Sequence, residues 1–310
     1  MKYKKIAVVM GGPSSEAEIS RKTAEAVINA LQSKNYEVNA IELNPQTIVD
    51  DVKKSQCDIV FNAVHGKYGE DGVLQAVMQM INMPCTGSDV LASALTMNKA
   101  ASKRIFLSAG ISTPKTMFFK KIDDEKFDIK QQIMDGFDLP VVVKSVDQGS
   151  SIGVFTAKTE QELAEGINEA FKYSQEIIVE EFIKGRELTV AVYGNKEKRP
   201  MSIIEIVAEN GVYDYHNKYT KGCSHHIIPA PLSEKLTREI QKLSVEACEI
   251  TNCTGVARVD LMLSEDDIPY VLEINTVPGM TETSLVPDVA RHDGIEFADL
   301  CEMMLEMVEK

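Results

Sequence analysis

The chain begins with a short apolar run, Ile6 to Met10, which stops at Gly11-Gly12-Pro13. Apolar residues then recur at Ala24, Val27, Ile28 and Leu31. A brief apolar run closed by glycine predicts a buried strand, and the three- and four-residue spacing after it predicts an amphipathic helix. Strand, glycine turn and helix together open a Rossmann-like βαβ unit. Runs over 36–43 and 58–64 predict two more strands, and 73–80 predicts a helix. Residues 93–110 predict one continuous helix, closed by Gly110 with Pro114 just beyond it. The pattern changes in this region, which places an N-terminal Rossmann-like domain at 1–97.

Downstream, strands are predicted at 139–144 and from Val154, on either side of the glycine- and serine-rich loop Ser145 to Gly153. A helix over 160–173 opens at Thr159, whose hydroxyl and the following Glu162 have capping-box spacing. Strands follow at 177–182, 188–193 and 202–207, and long helices at 232–251 and 296–310. Two β-rich runs, 256–263 and 270–274, are joined by the acidic turn Ser264-Glu265-Asp266-Asp267 and predict a hairpin or two adjacent strands. This second sheet-forming region divides at 98–186 and 187–310. The fold class is α/β. Residues 213–230 lack any period, and an irregular segment of that length inside a compact domain is usually functional or disordered.

With 310 residues, 44% hydrophobic and 26% charged, the chain can bury two or three compact cores. A net charge of −14 argues against non-specific binding to nucleic acid or anionic membranes. An anionic ligand would therefore need a locally basic pocket or metal ions. The six cysteines contain no C-x-x-C pair and read as reduced thiols. The first apolar run is too short for a signal peptide, and no segment approaches a membrane span. A cytoplasmic protein is expected.

Candidate chemistry gathers in the last two strands. Side chains alternate along a strand, so Arg258 and Asp260 share one face, as do Glu273 and Asn275. Asp260, Glu273 and Asn275 are the oxygen ligands that hard Mg²⁺ favours beside a polyphosphate. The turn Thr276-Val277-Pro278-Gly279-Met280 follows and offers backbone N–H groups. Two carboxylates, an amide and an arginine facing one point suggest phosphoryl transfer. Lys144, ahead of a loop carrying Gly149, Ser150, Ser151 and Gly153, could hold phosphates beneath a lid. His65 ends a strand and enters a glycine-rich loop, where α/β proteins keep their chemistry. His216, His225 and His226 invite a zinc site, but no fourth ligand follows at suitable spacing.

Five motifs in order resemble the D-alanine–D-alanine ligase family of the ATP-grasp superfamily: Gly11-Gly12-Pro13-Ser14-Ser15-Glu16, His65-Gly66 to Gly72, Met97-Asn98-Lys99, Arg258-x-Asp260 with Glu273-x-Asn275, and Pro278-Gly279-Met280-Thr281 leading to Ser284-Leu285. The resemblance covers nearly the whole chain. It implies an ATP-grasp fold and an ATP-dependent carboxylate–amine ligase that joins two D-alanine molecules through an acyl phosphate, for peptidoglycan precursors. Glu16 would hold the ammonium of the first substrate, with His65 close by. Ser150 and Tyr219 would help Glu16 tie mobile loops shut. Lys99, Lys144, Ser151 and Lys218 would contact phosphates or a substrate carboxylate. Glu180, Phe182, Ile183, Glu187 and Leu272 would receive adenine and ribose. Asp260, Glu273 and Asn275 would hold two Mg²⁺ (or Mn²⁺). Arg258 and the Gly279 N–H would form an oxyanion site, Ser284 would bind the second substrate's carboxylate, and Leu285 would bound its side-chain pocket.

The resemblance also implies a homodimer that binds neither nucleic acid nor membrane. One departure is Ser145, where many relatives have proline; altered stiffness of the loop is expected. Alternatives within the family are a D-serine or D-lactate second substrate, and outside it a non-catalytic ATP-binding relative. The apolar Leu285 and the Lys218-Tyr219 pair favour D-alanine.

Overall fold

The structure is a computed structural model that describes residues 2–121, 128–149, 152–208, 224–281 and 284–308. The N-terminal part runs β1 (Lys5–Met10), α1 (Ala17–Ser33), β2 (Glu37–Glu42), α2 (Ile48–Ser55), β3 (Ile59–Asn62), α3 (Val73–Met80), α4 (Val90–Met97) and α5 (Lys99–Ser108). The middle part follows with β4 (Thr116–Lys120), α6 (Ile129–Gly136), β5 (Val141–Ser145), β6 (Val154–Ala157), α7 (Glu160–Tyr173) and β7 (Glu176–Glu181). The last part comprises β8 (Gly185–Tyr193), β9 (Arg199–Ala208), β10 (Ser224–Ile227), α8 (Glu234–Ile250), β11 (Val256–Ser264), β12 (Pro269–Asn275), α9 (Leu285–His292) and α10 (Phe297–Glu306).

Among the described residues three sheets result. The first is parallel, in the order β2-β1-β3, as the opening βαβ pattern predicts. Its strand β1 is buried from Ile6 to Val9, which is why the sequence there is a continuous apolar run. A four-stranded sheet has the order β4-β7-β5-β6, and a five-stranded sheet the order β10-β9-β8-β11-β12. Every pairing in these two is antiparallel. Only Phe182, Ile183 and Lys184 join β7 of one to β8 of the other.

The C-terminal helices return to the N-terminal sheet. Leu300, Cys301, Met304 and Leu305 of α10 share a core with Ile6, Val8, Val27 and Leu31. The Met and Leu stripe predicted as a core face therefore covers β1 and α1, the opposite end of the chain. Thr159 caps α7 with the predicted reciprocal pair: its side chain accepts from the Glu162 N–H, and the Glu162 carboxylate accepts from the Thr159 N–H. No helix among the described residues is long and apolar enough to cross a membrane.

Two expectations are corrected. The single helix over 93–110 is two, α4 and α5, divided at Asn98, whose backbone is extended (φ −83°, ψ 100°) and whose Oδ1 accepts from the Ala101 N–H. Asparagine favours an N-cap over a helix interior because its short amide competes for nearby backbone groups. The break places Lys99 on the first turn of α5. The irregular segment 213–230 ends in strand β10, where His225 and His226 pair with Val207 and Ile206. His216, Lys218 and Tyr219 lie outside the described residues, as do Ser150 and Ser151. His226 Nδ1 is 2.7 Å from Asp288 Oδ2 at the start of α9, so this histidine ties the sheet edge to a helix.

Replacing Asn98 by Ala removes a cap that also divides two helices. The expected loss is about 1 kcal/mol in urea unfolding, with Asn98→Asp retaining most of the stability.

Candidate active site

The antiparallel register of β11 and β12 pairs Arg258 with Asn275 and Asp260 with Glu273. Two i, i+2 pairs thus become one four-residue patch. Next to it the register slips by one residue, because Leu261 pairs with Val271 and Leu272 is skipped. This bulge leaves both Leu272 and Glu273 half-buried, although they are consecutive in the strand. A bulge beside a site re-aims side chains that strict alternation would separate.

Arg258 and Asp260 form a two-pronged pair, Nε to Oδ1 at 2.8 Å and NH2 to Oδ2 at 2.7 Å. Thr189 of β8 donates to Asp260 Oδ1 at 2.6 Å. Glu273 Oε2 lies 3.0 Å from Lys99 Nζ, which also donates to the Gln148 carbonyl at 2.7 Å. Asn275 Oδ1 accepts from the Val277 N–H and so starts the following turn. The oxygen donors are therefore grouped and faced by positive side chains. That donor set fits a hard divalent cation, with Asp260, Glu273 and Asn275 as its holders.

The turn after Asn275 is fixed from the N-terminal domain. His65 Nδ1 donates to the Val277 carbonyl at 3.0 Å, which leaves Nε2 to accept from the Thr23 hydroxyl at 2.9 Å. The Thr23 Oγ1 in turn accepts from the Met280 N–H. Burial holds the imidazole neutral, with its pKa down at about 4. Both ring nitrogens are engaged, so His65 sits at the site as a clamp on the turn. Beyond it, Gly279 approaches Ser284 closely: a Cβ on Gly279 would lie 2.9 Å from Ser284 Oγ. Ser284 is the N-cap of α9, but its hydroxyl turns back to Thr281, accepting from the Thr281 N–H at 3.0 Å.

These elements enclose a cavity of about 100 Å³. Of the residues singled out in the sequence, Glu16, His65, Lys99, Arg258 and Glu273 line it, and Asn275, Gly279, Ser284 and Leu285 complete its floor. Asp260 lies just beneath, behind Arg258.

The remaining candidates belong to a second region around β5, β7 and β8. Lys144 Nζ donates to Glu180 Oε2 at 2.7 Å. Lys103 Nζ is 2.8 Å from Glu180 Oε1, an ion pair without good hydrogen-bond direction, and donates to Thr113 Oγ1 and the Val271 carbonyl. Glu180 is 1% exposed and Lys103 equally buried. Burial raises the Glu180 carboxyl, but the two lysines outweigh it and hold the pKa below the usual range. Burial brings Lys103 down to about 8. Burial also lowers Lys144, yet Glu180, Glu273 and Glu187 outweigh it and leave the ammonium above its ordinary value. Two cations on one carboxylate leave this buried cluster net positive, a suitable environment for phosphate. Glu180 therefore faces lysines with both oxygens. Phe182 and Ile183 lie in the link between the sheets, Phe182 exposed, with half-buried Glu187 shortly after.

Lys103 was not singled out from the sequence. Its signal was available: it lies one turn after Lys99, on the buried face of α5 with Ala100 and Phe106. Ser145, the departure from the family pattern, donates its N–H to the Gly153 carbonyl at 2.9 Å. Proline has no such hydrogen, so serine here closes the loop with a bond that the common residue lacks.

Family-level comparison agrees with this geometry. Residues 105–306 match the model for the D-ala D-ala ligase C-terminus, and residues 44–88 that for the N-terminus. The chain is 45% identical to the D-alanine–D-alanine ligase of Pelotomaculum thermopropionicum, over 98% of this chain and 96% of that one. Against the ligase of Halalkalibacterium halodurans the identity is 40%, over 98% of each. The crystal structure of the Bacillus anthracis ligase complexed with ATP superposes with a TM-score of 0.84 at 32% identity, covering 98% of this chain and 97% of that one. A D-Ala:D-Ser ligase from Enterococcus faecalis superposes with a TM-score of 0.85 at 30% identity, covering 98% and 99%.

Two outcomes are expected. Glu180→Ala leaves two buried lysines without their carboxylate and lowers stability by about 3–5 kcal/mol in urea unfolding. His65 carries a depressed pKa, so its contribution is full above about 6.5, the unfolded value, and is lost as pH falls through about 4. His65→Gln should flatten the stability–pH curve over that window, measured by thermal melts from pH 4 to 8.

Proposed function

The chain belongs to the D-alanine–D-alanine ligase family, and we propose that its cavity joins two D-alanine molecules at the expense of ATP. The observation that carries this reading is the convergence of Glu16, Lys99, Arg258, Glu273, Asn275, Gly279 and Ser284 on one enclosed space. An acid for an ammonium, a cation for phosphate, metal-type oxygens and oxyanion donors are what a carboxylate–amine ligase needs together. The product is a precursor for peptidoglycan.

A free carboxylate is a poor acyl donor because its leaving group would be oxide or hydroxide. In the proposed reaction the carboxylate of the first D-alanine attacks the γ-phosphorus of ATP, and ADP leaves. The amine of the second D-alanine then attacks the acyl carbon of the resulting acyl phosphate, a mixed anhydride. The C–N bond forms, the C–O bond breaks, phosphate departs, and the amine loses its proton.

Glu16 holds the first ammonium. Arg258 and the Gly279 N–H receive the developing oxyanion, where donors fixed in advance are worth most. Ser284, at the start of α9, receives the second carboxylate, aided by the positive end of the helix. Leu285 bounds the side-chain space. Lys99 and Lys144, with Ser151 and Lys218 from outside the described residues, are assigned to the phosphates, and Glu180, Phe182, Ile183, Glu187 and Leu272 to the nucleoside, while the Glu180 carboxylate also holds Lys144 in place. Asp260, Glu273 and Asn275 would hold two Mg²⁺, which when bound would neutralise the phosphate oxygens. Ser150 and Tyr219, which lie outside the described residues, are assigned to closing the site against water that would hydrolyse the acyl phosphate. The divisions 1–97, 98–186 and 187–310 serve as the three units of this reading, and a homodimer is its expected assembly.

The test is phosphate release from Mg·ATP with D-alanine, D-serine, D-lactate and L-alanine, singly and in pairs. Release with D-alanine alone, and the dipeptide by mass spectrometry, is the expected result. A requirement for D-serine or D-lactate would move the assignment to a sister activity, and silence with every D-substrate despite ATP binding would sink it. Glu273→Gln is expected to lower turnover by at least two orders of magnitude at low Mg²⁺, on the order of removing one transition-state electrostatic contact. Near-normal turnover there would contradict the metal assignment.

A further inference from the structure

The cavity contains a second acid that the mechanism above does not use. Glu70 is 92% buried by its 8% exposure and lines the same wall as Glu16 and His65. Its Oε2 accepts from the Gly66 N–H at 2.8 Å. Among the described residues this is the one hydrogen bond of its side chain, and no ion pair joins it to a lysine or arginine. Glu16 approaches the same glycine, beside Ser14. A Cβ on Gly66 would lie 2.9 Å from Glu16 Oε2 and 2.5 Å from Ser14 Oγ, and the glycine has φ +70°. Two buried carboxylates therefore flank one backbone residue at the end of the cavity assigned to the first ammonium.

We propose that Glu70 is the second carboxylate of the first-substrate ammonium site, so that the D-alanine cation is held between Glu16 and Glu70 above Gly66. This inference rests on the ligase reading and deepens it. An ammonium has three N–H donors, and a single carboxylate satisfies them poorly in a buried site. A second acceptor removes that deficit and adds a charge-assisted bond.

Gathering two carboxylates in one buried place has an electrostatic cost. Burial, and then the nearby Glu16 charge, push the Glu70 carboxyl up to about 8, against smaller opposing effects of the Gly66 N–H, Arg258 and Lys99. The neutral imidazole of His65 adds no charge beside it. At neutral pH the Glu70 carboxyl thus retains its proton. Arrival of the ammonium replaces that proton, which leaves to solvent, and the two carboxylates and one cation remain. The Gly66 N–H bond also closes the loop 66–70, a purely structural alternative.

Glu70→Gln separates the two. Glutamine keeps an oxygen for Gly66 but cannot ionise. Loss of a bond between charged groups predicts a rise of about 10- to 100-fold in the D-alanine KM at the first site, with the KM for ATP within about twofold. The melting temperature provides a second readout. A carboxyl whose folded pKa is raised favours the native state only at low pH, and that advantage is lost as pH rises from 4.5 through about 8. The variant should therefore melt higher than the parent at pH 8 and together with it below pH 4.5. An unchanged D-alanine KM, or a lower melting temperature at every pH, would show that Glu70 is only a loop staple. Dipeptide synthesis by the parent protein is measured alongside, so failure of the ligase assignment is told apart from failure of this one.

Discussion

Everything at the cavity depends on one register. Pairing Arg258 with Asn275, and Asp260 with Glu273, turns residues that are fifteen or so positions apart into neighbours on a single face. Sheet hydrogen bonds hold that spacing more firmly than any loop could. A slip of one residue would send the carboxylates to the opposite face, against the apolar core of Val259, Leu261 and Ile274. The hydrophobic alternation of β11 and the site chemistry therefore specify the same pairing. The bulge at Leu272 is the single local exception, and it falls beside the carboxylates.

Charge balance is the second constraint. The chain carries a net −14, yet the cavity and the region behind it gather Lys99, Lys103, Lys144 and Arg258. Each of these cations faces a carboxylate, so the charges of the region are closely paired. Burial makes the pairing necessary, since an isolated charge removed from water is strongly disfavoured. The same cations are what a polyphosphate would meet. Binding of ligand and metal then exchanges partners in place of burying new charge. Glu180 between two lysines is the arrangement at its most buried, and it also joins α5, β7 and β12 through Lys103.

The two ends of the chain meet in one core. Helix α10 covers the face of β1 and α1, while His65 and Thr23 reach from the N-terminal domain to the turn at Val277 and Met280. The turn is thus supported by residues more than two hundred positions earlier, and its position depends on packing between the two ends of the chain.

Much of this was legible in one dimension. Apolar runs marked the buried strands, period 3.6 marked α1, α3 and α7, and the Thr159–Glu162 spacing marked a cap. The i, i+2 pairs at Arg258 and Glu273 were legible because strand geometry is local. The break at Asn98 was misread, since its flanks form helix on both sides and only the cap hydrogen bond reveals the turn. The partners of Glu180, the clamp role of His65 and the juxtaposition of Glu70 with Glu16 had no sequence signal of their own. Local periodicity determined which elements form and which faces they bury. Which charges meet, and which proton or nitrogen is already engaged, was decided only by tertiary packing, because those energies depend on distances between segments that the order of residues does not contain.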